Sequence, residues 1–302
     1  MTYSIVARDS RTGQLGVGAQ SHFFGVGRLA GWLEPGVGAV ATQAFVNIDF
    51  GPLALERLRR GQDSVDVLRQ LVGSDEMRDY RQLAVVAADG TVATHTGDRC
   101  VPASGQRIGD GVAVLGNMLA SPGVPEAMSA AYEQARGALA DKILAALEAG
   151  ESAGGDARGS QSAFIRVVSG TRSARPWQET LIDIRVDDHD DPVGELARLL
   201  PRVRAFEAVG SVMFAPRVMV GGFRDVTERE LESSLERLAA AAAVLTDNNE
   251  AAFWRAVLLA RAGRTREAAD AFTGIFSRAE HLRPFLRSVG DAGIIDEAEQ
   301  YL

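Results

Sequence analysis

The chain has 302 residues, of which 46% are hydrophobic and 24% are charged, and its formal net charge at pH 7 is −8. This composition is typical of a globular protein, and the length is sufficient for two domains. The acidic balance argues against a nucleic-acid partner, because such a partner requires a basic surface. The one cysteine, Cys100, excludes an intrachain disulfide.

The sequence contains no signal for a membrane or a secretory leader, and the acidic run at 187–191, which could coordinate a metal, is more typical of a solvated turn that caps the next helix. No apolar run reaches the ~18 residues of a membrane-spanning helix, and the N-terminus lacks the basic and apolar regions of a signal peptide. We therefore expect a cytoplasmic protein with no membrane partner. The four histidines are scattered, and the HExxH and CxxC motifs of zinc sites are absent. We expect neither a metal nor another cofactor.

The first predicted element is a strand over residues 3–7, with a hairpin partner over 15–20 across a turn at Thr12 and Gly13. Met1 and Thr2 precede it, and aminopeptidases readily remove a methionine that stands before a small residue. Thr2 would then combine a hydroxyl nucleophile with an α-amine of pKa ~7.7–8.0, which can act as a general base. A Met-Thr start is also common by chance, so the rest of the chain must support this hypothesis.

The next segments alternate between strands and pairs of helices. A third strand is predicted over 36–43, helices over 52–60 and 63–73, and strands over 82–88, 92–96 and 111–115. One or two helices follow over 124–149, then strands over 161–168 and 180–186. A last helix runs from Asp191 to about Leu200, before Pro201. Because strands and helices do not alternate strictly, the pattern favours stacked, largely antiparallel sheets covered by helices, an α+β fold.

The composition changes after residue 203. Residues 204–225 are apolar and Gly-rich without a helical period, and we interpret them as a connecting segment between a first domain, 1–203, and a helical domain, 226–302. Thr227 and Glu230 form a capping-box pattern. Small and large apolar residues from 252 to 272 stand at tetratricopeptide-like offsets, although an arbitrary helical hairpin fits them equally well. These helices are a candidate surface for protein contact.

A Gly-rich loop before the strand at 161–168 is the most distinctive polar segment. Gly154 and Gly155 can expose backbone N–H groups to an oxyanion, and Asp156 and Arg158 can form an ion pair. Gln161 and Ser162 follow at the entry to the strand. A tight loop whose polar groups bond to one another is the equally weighted alternative. Further candidates stand at or just after strand ends, where site residues often collect: His22, Asn47, His95 and Asn117.

The chain resembles the uncharacterised family DUF1028, which is placed in the N-terminal-nucleophile (Ntn) hydrolase superfamily. The resemblance covers roughly residues 2–200, and its most specific elements are the start MTYSIVARD and the GGDARGSQSA stretch at 154–163. The other matching stretches are TGQLGVGAQS, GVGAVATQAFVN, THTGDRC, LGNMLASP and IRVDDHDDP.

The resemblance implies a four-layer αββα sandwich whose chain begins on a strand of an inner sheet, with Thr2 as nucleophile and base. The chain departs from proteasome-like relatives, which place a lysine beside the nucleophile, because its only lysine, Lys142, lies in an ordinary helical segment. Arg158 or His22 would have to supply the positive charge there.

Two functions follow from these residues. The first is an amide hydrolase for a small acyl-amino or peptide-like substrate. In this function Asp156, Arg158 and Ser162 position or polarise the reacting groups. Asn117 and the backbone amides of Gly154 and Gly155 donate hydrogen bonds to the oxyanion. His22, Asn47, His95 and Gln161 then contact the substrate. The second is a catalytically silent scaffold with a helical interaction domain. A third hypothesis keeps the enzyme but places the chemistry on Ser4 or His22. By analogy with acidic Ntn proteins we also expect a homo-oligomer.

Overall fold

The computed structural model describes residues 2–302, so the predicted removal of Met1 lies outside the described residues. The chain divides into two compact units, the first ending at Leu199 and the second covering Leu200–Leu302. The strands, all in the first unit, are β1 (Thr2–Arg8), β2 (Leu15–Ser21), β3 (Gly31–Glu34), β4 (Gly38–Ala44), β5 (Arg81–Ala87), β6 (Val92–Thr96), β7 (Gly105–Gly109), β8 (Val112–Asn117), β9 (Ser162–Val168) and β10 (Thr180–Val186).

Nine α-helices occur in the described part of the chain. Four precede residue 160, a fifth spans the boundary between the units, and four more complete the second unit. They are α1 (Phe50–Arg59), α2 (Ser64–Gly73), α3 (Val124–Gln134), α4 (Leu139–Ser152), α5 (Pro192–Met213), α6 (Glu228–Val244), α7 (Glu250–Arg261), α8 (Thr265–Phe276) and α9 (Leu282–Asp291). None of the helices in residues 2–302 is long and apolar enough to span a bilayer.

The strands form two antiparallel sheets. The first has six strands in the order β10-β9-β2-β1-β8-β7, and the second has four in the order β3-β4-β5-β6. This arrangement confirms the predicted mixed fold with largely antiparallel sheets. In the first sheet β1 is central: Thr2 lies opposite Asn117 of β8, and Tyr3 lies opposite Gln20 of β2. This register fixes which side chains surround the start of β1.

The two sheets pack face to face through small and branched apolar side chains. Val6, Val17 and Leu115 of the first sheet share one buried cluster with Ala41 and Val86 of the second. Burial of each larger aliphatic side chain contributes about 1.5–3 kcal/mol to stability. Because side chains alternate along a strand, Thr2 and Ser4 point to the same inner face as Val6.

Helices cover the outer faces of both sheets. On the second sheet α1 and α2 bury Leu58 and Leu71 against Val40 and Val85. On the first sheet α4 approaches β2 closely because Gly18 has no side chain, and an added Cβ there would lie 2.5 Å from Ile143. The first unit therefore consists of a helix pair, two sheets and a second helix pair.

Three local predictions were wrong. The strands β3 and β7 were not expected, and α5 does not end at Leu200. Instead α5 continues through Pro201 to Met213, into the segment interpreted as a connector. Tertiary burial explains the continuation, since Ala205, Val209 and Val212 are all buried in an apolar cluster. Packing of this face outweighs the loss of one backbone hydrogen bond at the proline.

The second unit is helical, as predicted. The capping box at its start is present: the Thr227 hydroxyl accepts a hydrogen bond from the Glu230 amide, and the Glu230 carboxylate accepts one from the Thr227 amide at 2.8 Å. Helices α7 and α8 bury Ala256, Leu259 and Phe272 in one apolar core. The tetratricopeptide likeness of this helix pair stays a prediction.

Candidate active site

Thr2 begins the central strand and lies in the space between the two sheets. It is 7% exposed, and its Oγ1 donates a hydrogen bond to Ser21 Oγ at 3.2 Å. Ser21 is the last residue of β2, beside β1, so two adjacent strands bring two hydroxyl groups together at one end of the first sheet. Both hydroxyl groups stand on strands and not on loops, which fixes the position of the Thr2 hydroxyl closely.

A buried network of amide side chains holds the backbone of Thr2. Gln43 Nε2 donates to the Thr2 carbonyl at 3.0 Å and to Gln82 Oε1 at 2.7 Å. Asn117 Nδ2 donates to the same Gln82 oxygen at 3.1 Å and to the Thr2 carbonyl at 3.4 Å. On the other side Ser4 Oγ donates to Gln43 Oε1 at 2.6 Å. Because all four network residues are at most 2% exposed, these hydrogen bonds face little competition from water.

A small cavity of about 90 Å³ lies against Thr2 and Ser21. Among residues 2–302, no charged side chain lines it. Apart from the hydroxyls of Thr2, Ser21 and Thr42 and the Gln43 amide, its walls are apolar: Phe23, Val26, Leu29, Ala30, Ala44 and Val46. Phe23 is 53% exposed, so the cavity opens to the surface beside this ring.

Ser162 and Asp156, which were predicted to position or polarise groups of the site, form hydrogen bonds with the segment that follows β2. Ser162 Oγ donates to the Phe23 carbonyl at 2.6 Å and accepts from the Val26 amide at 3.0 Å. Phe23 and Val26 both line the cavity. Ser162 is fully buried and contacts the cavity wall, so its hydroxyl shapes the cavity without lining it.

Asp156 connects the Gly-rich loop to the same end of β2. Its buried carboxylate accepts from the His22 amide at 2.9 Å and the Arg158 amide at 2.8 Å. The Arg158 guanidinium lies 3.3 Å from the same carboxylate. The side chain of His22 does not line the cavity, and its buried Nδ1 has no hydrogen-bond partner among the described residues.

The amides of Gly154 and Gly155 are already engaged. Gly154 donates to the carbonyl of Glu151 and Gly155 donates to that of Gly150, each at 3.0 Å, so the two N–H groups close the end of α4. Both residues have a left-handed φ, +117° and +57°, which explains the glycines. In this conformation neither N–H group is free to bind an oxyanion. Gln161 is likewise engaged, since its Nε2 donates to Asp188 at 3.1 Å.

The structure places two other predicted residues outside the cavity wall. His95 lies opposite Leu83 in the β5–β6 pairing, and Leu83 faces α1 and α2, so the imidazole stands on the helix-covered face of the second sheet. Its Nε2 lies 2.9 Å from the Arg78 carbonyl. Asn47 Oδ1 accepts from the Asp49 amide at 3.1 Å at the start of α1. The backbone carbonyl of Asn47 accepts a hydrogen bond from the Thr42 hydroxyl.

The side chain that follows Thr2 stands on the opposite face of β1. The Tyr3 hydroxyl donates to Glu151, and Ser160 donates to the other oxygen of that carboxylate. Burial and the Glu151 charge raise the pKa of Tyr3 well above its usual value. Tyr3 therefore stays neutral and anchors β1 to α4 on the side of the strand opposite Thr2.

Backbone strain accompanies the amide network. Ala44 directly follows Gln43 and has φ +68°, and Met118 directly follows Asn117 and has φ +52°. A non-glycine residue in this left-handed region costs roughly 1–2 kcal/mol. Such strain concentrates where a site requires a particular geometry. Here it coincides with the two side chains that contact the Thr2 carbonyl.

Sequence reasoning missed three residues around Thr2: Ser21 and Gln43, which bond to Thr2, and Gln82, which bonds to the amide groups of Gln43 and Asn117. Each stands near the end of an otherwise apolar strand, beside a second polar residue (Gln20, Thr42 or Arg81), and nothing in the local sequence identifies its partner. The available signal was their position, since a polar side chain at an inward-facing position of a buried strand needs a partner. Their partners became visible only with the strand register.

Comparisons with known proteins agree with the sequence resemblance. Residues 2–196 match the model of a protein family described as a family of unknown function, DUF1028. The crystal structure of protein SPO2555 from Silicibacter pomeroyi, assigned to the same family model, is similar with a TM-score of 0.61 and 31% sequence identity. The similarity covers 67% of this chain and 85% of that chain. No functionally curated protein matches the chain.

Proposed function

Because this chain belongs to the DUF1028 family, whose function is unknown, we propose its activity from the site itself: an Ntn-type amide hydrolase that uses Thr2. The observation that supports the proposal most directly is the position of the Thr2 hydroxyl. It stands at the start of the central strand, 3.2 Å from Ser21 Oγ, and it lines an open cavity. The order of helices and sheets in the first unit agrees with the αββα sandwich of Ntn hydrolases.

Removal of Met1 creates the base that the reaction needs. The α-amine of Thr2 has a reference pKa of ~7.7–8.0, so a large fraction is neutral near pH 8 and can accept the proton of Oγ1. Oγ1 then attacks the carbonyl carbon of an amide, and a tetrahedral intermediate forms. When it collapses, the C–N bond breaks, the amine leaves with the proton, and an ester to Thr2 remains. Water hydrolyses this ester by the same proton transfers in reverse.

The neighbours of Thr2 have separate roles in this scheme. The Ser21 hydroxyl lies close enough to Oγ1 to donate to the oxyanion of the intermediate. Asn117 has its Nδ2 engaged, but its buried Oδ1 has no partner among residues 2–302. Since Asn117 lies directly opposite Thr2, this oxygen is the candidate acceptor for the α-ammonium group. We thus assign Asn117 to the amine and not to the oxyanion.

The test begins with the N-terminus. Untagged protein with its native start is measured by intact mass, and we expect the loss of one methionine residue. The protein is then incubated with a β-lactone probe, whose strained ring opens when an activated threonine Oγ1 attacks its carbonyl, so that an ester forms on that hydroxyl. A single adduct that maps to the Thr2 peptide is the expected result.

Three variants make this experiment specific. Thr2→Ala should form no adduct, and Thr2→Ser should retain it because a serine keeps the hydroxyl. Ser74→Ala, at the exposed end of α2, removes a hydroxyl that bonds to the Leu71 carbonyl and has no place in the Thr2 network, so the adduct at Thr2 should persist. Retention of Met1 in the mature protein would contradict the mechanism and favour the scaffold function.

A further inference from the structure

The cavity beside Thr2 limits which substrates can react. We propose that it binds the acyl side of the substrate, and that this acyl group is a short, uncharged aliphatic chain such as propionyl or isobutyryl. This inference rests on the proposed function, because it takes Thr2 as the nucleophile.

The covalent bond that forms to Thr2 indicates that the cavity holds the acyl side of the substrate and not the amine side. After the first step the amine departs, whereas the acyl carbon remains bonded to Thr2 Oγ1. Thr2 lines the cavity, so a substituent on that carbon begins at the cavity wall. The amine has an open route to solvent, because the cavity reaches the surface beside the exposed ring of Phe23.

The walls exclude charged acyl groups. Val26 and Ala30 are each 3% exposed, and Leu29, Ala44 and Val46 complete an apolar lining without a cationic side chain. A carboxylate moved from water to such a lining would lose its hydration with no cationic side chain to replace it, and the α-amine of Thr2 must be neutral to act as the base, so the transfer is strongly unfavourable. A succinyl or glutamyl-like chain therefore does not fit the chemistry of this cavity.

The volume inside the cavity disfavours aromatic acyl groups. An apolar cavity of about 150 Å³ in another protein holds one benzene molecule. The cavity here is about 90 Å³, which corresponds by proportion to about three or four carbon atoms. A branched or straight aliphatic chain of that size fits, whereas a phenyl ring requires the walls to move.

The experiment compares hydrolysis of N-acyl-p-nitroanilides by the two-unit protein with Met1 removed. The acyl groups are acetyl, propionyl, isobutyryl, hexanoyl, benzoyl and succinyl, and the leaving amine is constant. We expect kcat/KM for propionyl or isobutyryl to exceed that for benzoyl and succinyl by about tenfold or more. In a hydrophobic pocket, a mismatch of even one methylene group changes kcat/KM by about tenfold or more.

Two variants test the cavity itself. Val26→Ala removes wall atoms and should shift the preference towards hexanoyl and benzoyl by about tenfold. Ala30→Val adds wall atoms and should reduce isobutyryl turnover while acetyl turnover remains. Val40→Ala is the matched control, because Val40 is equally buried but faces the helices α1 and α2. Its ranking of substrates should equal that of the wild type.

The possible failures are distinguishable. A wild-type preference for succinyl or benzoyl, or one that follows the amine and ignores the acyl chain, overturns this inference and leaves Thr2 as the nucleophile. Absence of turnover for every anilide, together with absence of any Thr2 adduct, overturns the proposed function and this inference with it.

Discussion

At the scale of single residues, Gln82 holds the candidate site together from the second sheet. Its Oε1 accepts from Gln43 and Asn117, and its Nε2 donates to the Gly116 carbonyl at 2.9 Å. Gln82 is fully buried and touches neither the cavity nor the Thr2 hydroxyl. Its contribution is therefore to the position of the groups that contact Thr2.

We predict that Gln82→Leu destabilises the protein by about 3 kcal/mol. The leucine fills similar space but leaves the buried donors of Gln43 and Asn117 with one acceptor fewer, and each unsatisfied buried group costs about 1–3 kcal/mol. Urea unfolding measures the change. Gln70→Leu on the exposed side of α2 is the control and should alter stability by less than about 0.5 kcal/mol. Equal effects of the two variants would contradict this role.

The residues of the site show what local sequence features can indicate. Thr2 was proposed because it is a small hydroxyl residue directly after Met1, and Asn117 because it stands at a strand end. The backbone amides of Gly154 and Gly155 were expected to bind an oxyanion. Instead, both donate hydrogen bonds to carbonyl groups at the end of α4, which the sequence did not reveal. Ser21 and Gln43 had no local signal, because a contact between strands distant in sequence depends on register.

At the scale of elements, helix α3 contains a titratable group that links stability to pH. Tyr132 lies on its buried face, and burial raises the pKa of this hydroxyl from 10.0 to about 12. The folded state thus keeps Tyr132 neutral where the unfolded chain ionises it. The resulting stability is fully present below pH 10 and is lost as the pH rises from 10 towards 12.

We predict that Tyr132→Phe reduces the loss of stability in alkali. Between pH 9 and pH 11 the wild type should lose about 1 kcal/mol more than the variant, because one pKa unit corresponds to about 1.4 kcal/mol. Urea unfolding at both pH values measures the difference, with pH 8 as the internal reference. The free energy of unfolding of the variant should still fall somewhat with pH, since the pKa of Tyr3 is also raised. Parallel curves for the two proteins would contradict the prediction.

Elements with strong local signals were predicted well. Helix α2 has its cap, since Asp63 accepts from the Asp66 amide at 2.8 Å, and it has a regular buried stripe. Strand β3 is only four residues long and contains Gly31 and Glu34, which are unfavourable in strands, so no propensity signal marks it. The end of α5 was misjudged because Pro201 is a local signal and the burial of Val209 is not.

At the scale of the whole molecule, the helical unit has an apolar core that begins at Ala205. Phe272 is fully buried in it and packs against the rings of Phe253 and Tyr301. The first unit contains the only cysteine, Cys100, which is 5% exposed. Burial raises the pKa of this thiol, so it reacts slowly until the first unit opens.

We predict that Phe272→Ala destabilises the helical unit by about 3–5 kcal/mol without speeding the labelling of Cys100. The loss is measured by urea unfolding followed at a helix-sensitive wavelength, and labelling is followed with a thiol reagent under native conditions. Leu83→Ala is the matched core truncation in the first unit and should accelerate labelling. If Phe272→Ala accelerated labelling of Cys100 as much as Leu83→Ala does, the two units would not unfold independently of each other.

The central place of β1 has a consequence for the durability of the site. Fraying begins at edge strands, here β7 and β10, whereas β1 is bonded on both sides and separates only when the sheet comes apart. Thr2 therefore keeps its geometry through the small breathing motions that loosen the margins of the sheet. Heat inactivation should accordingly be abrupt and coincide with melting of the first unit, without a preceding gradual decline.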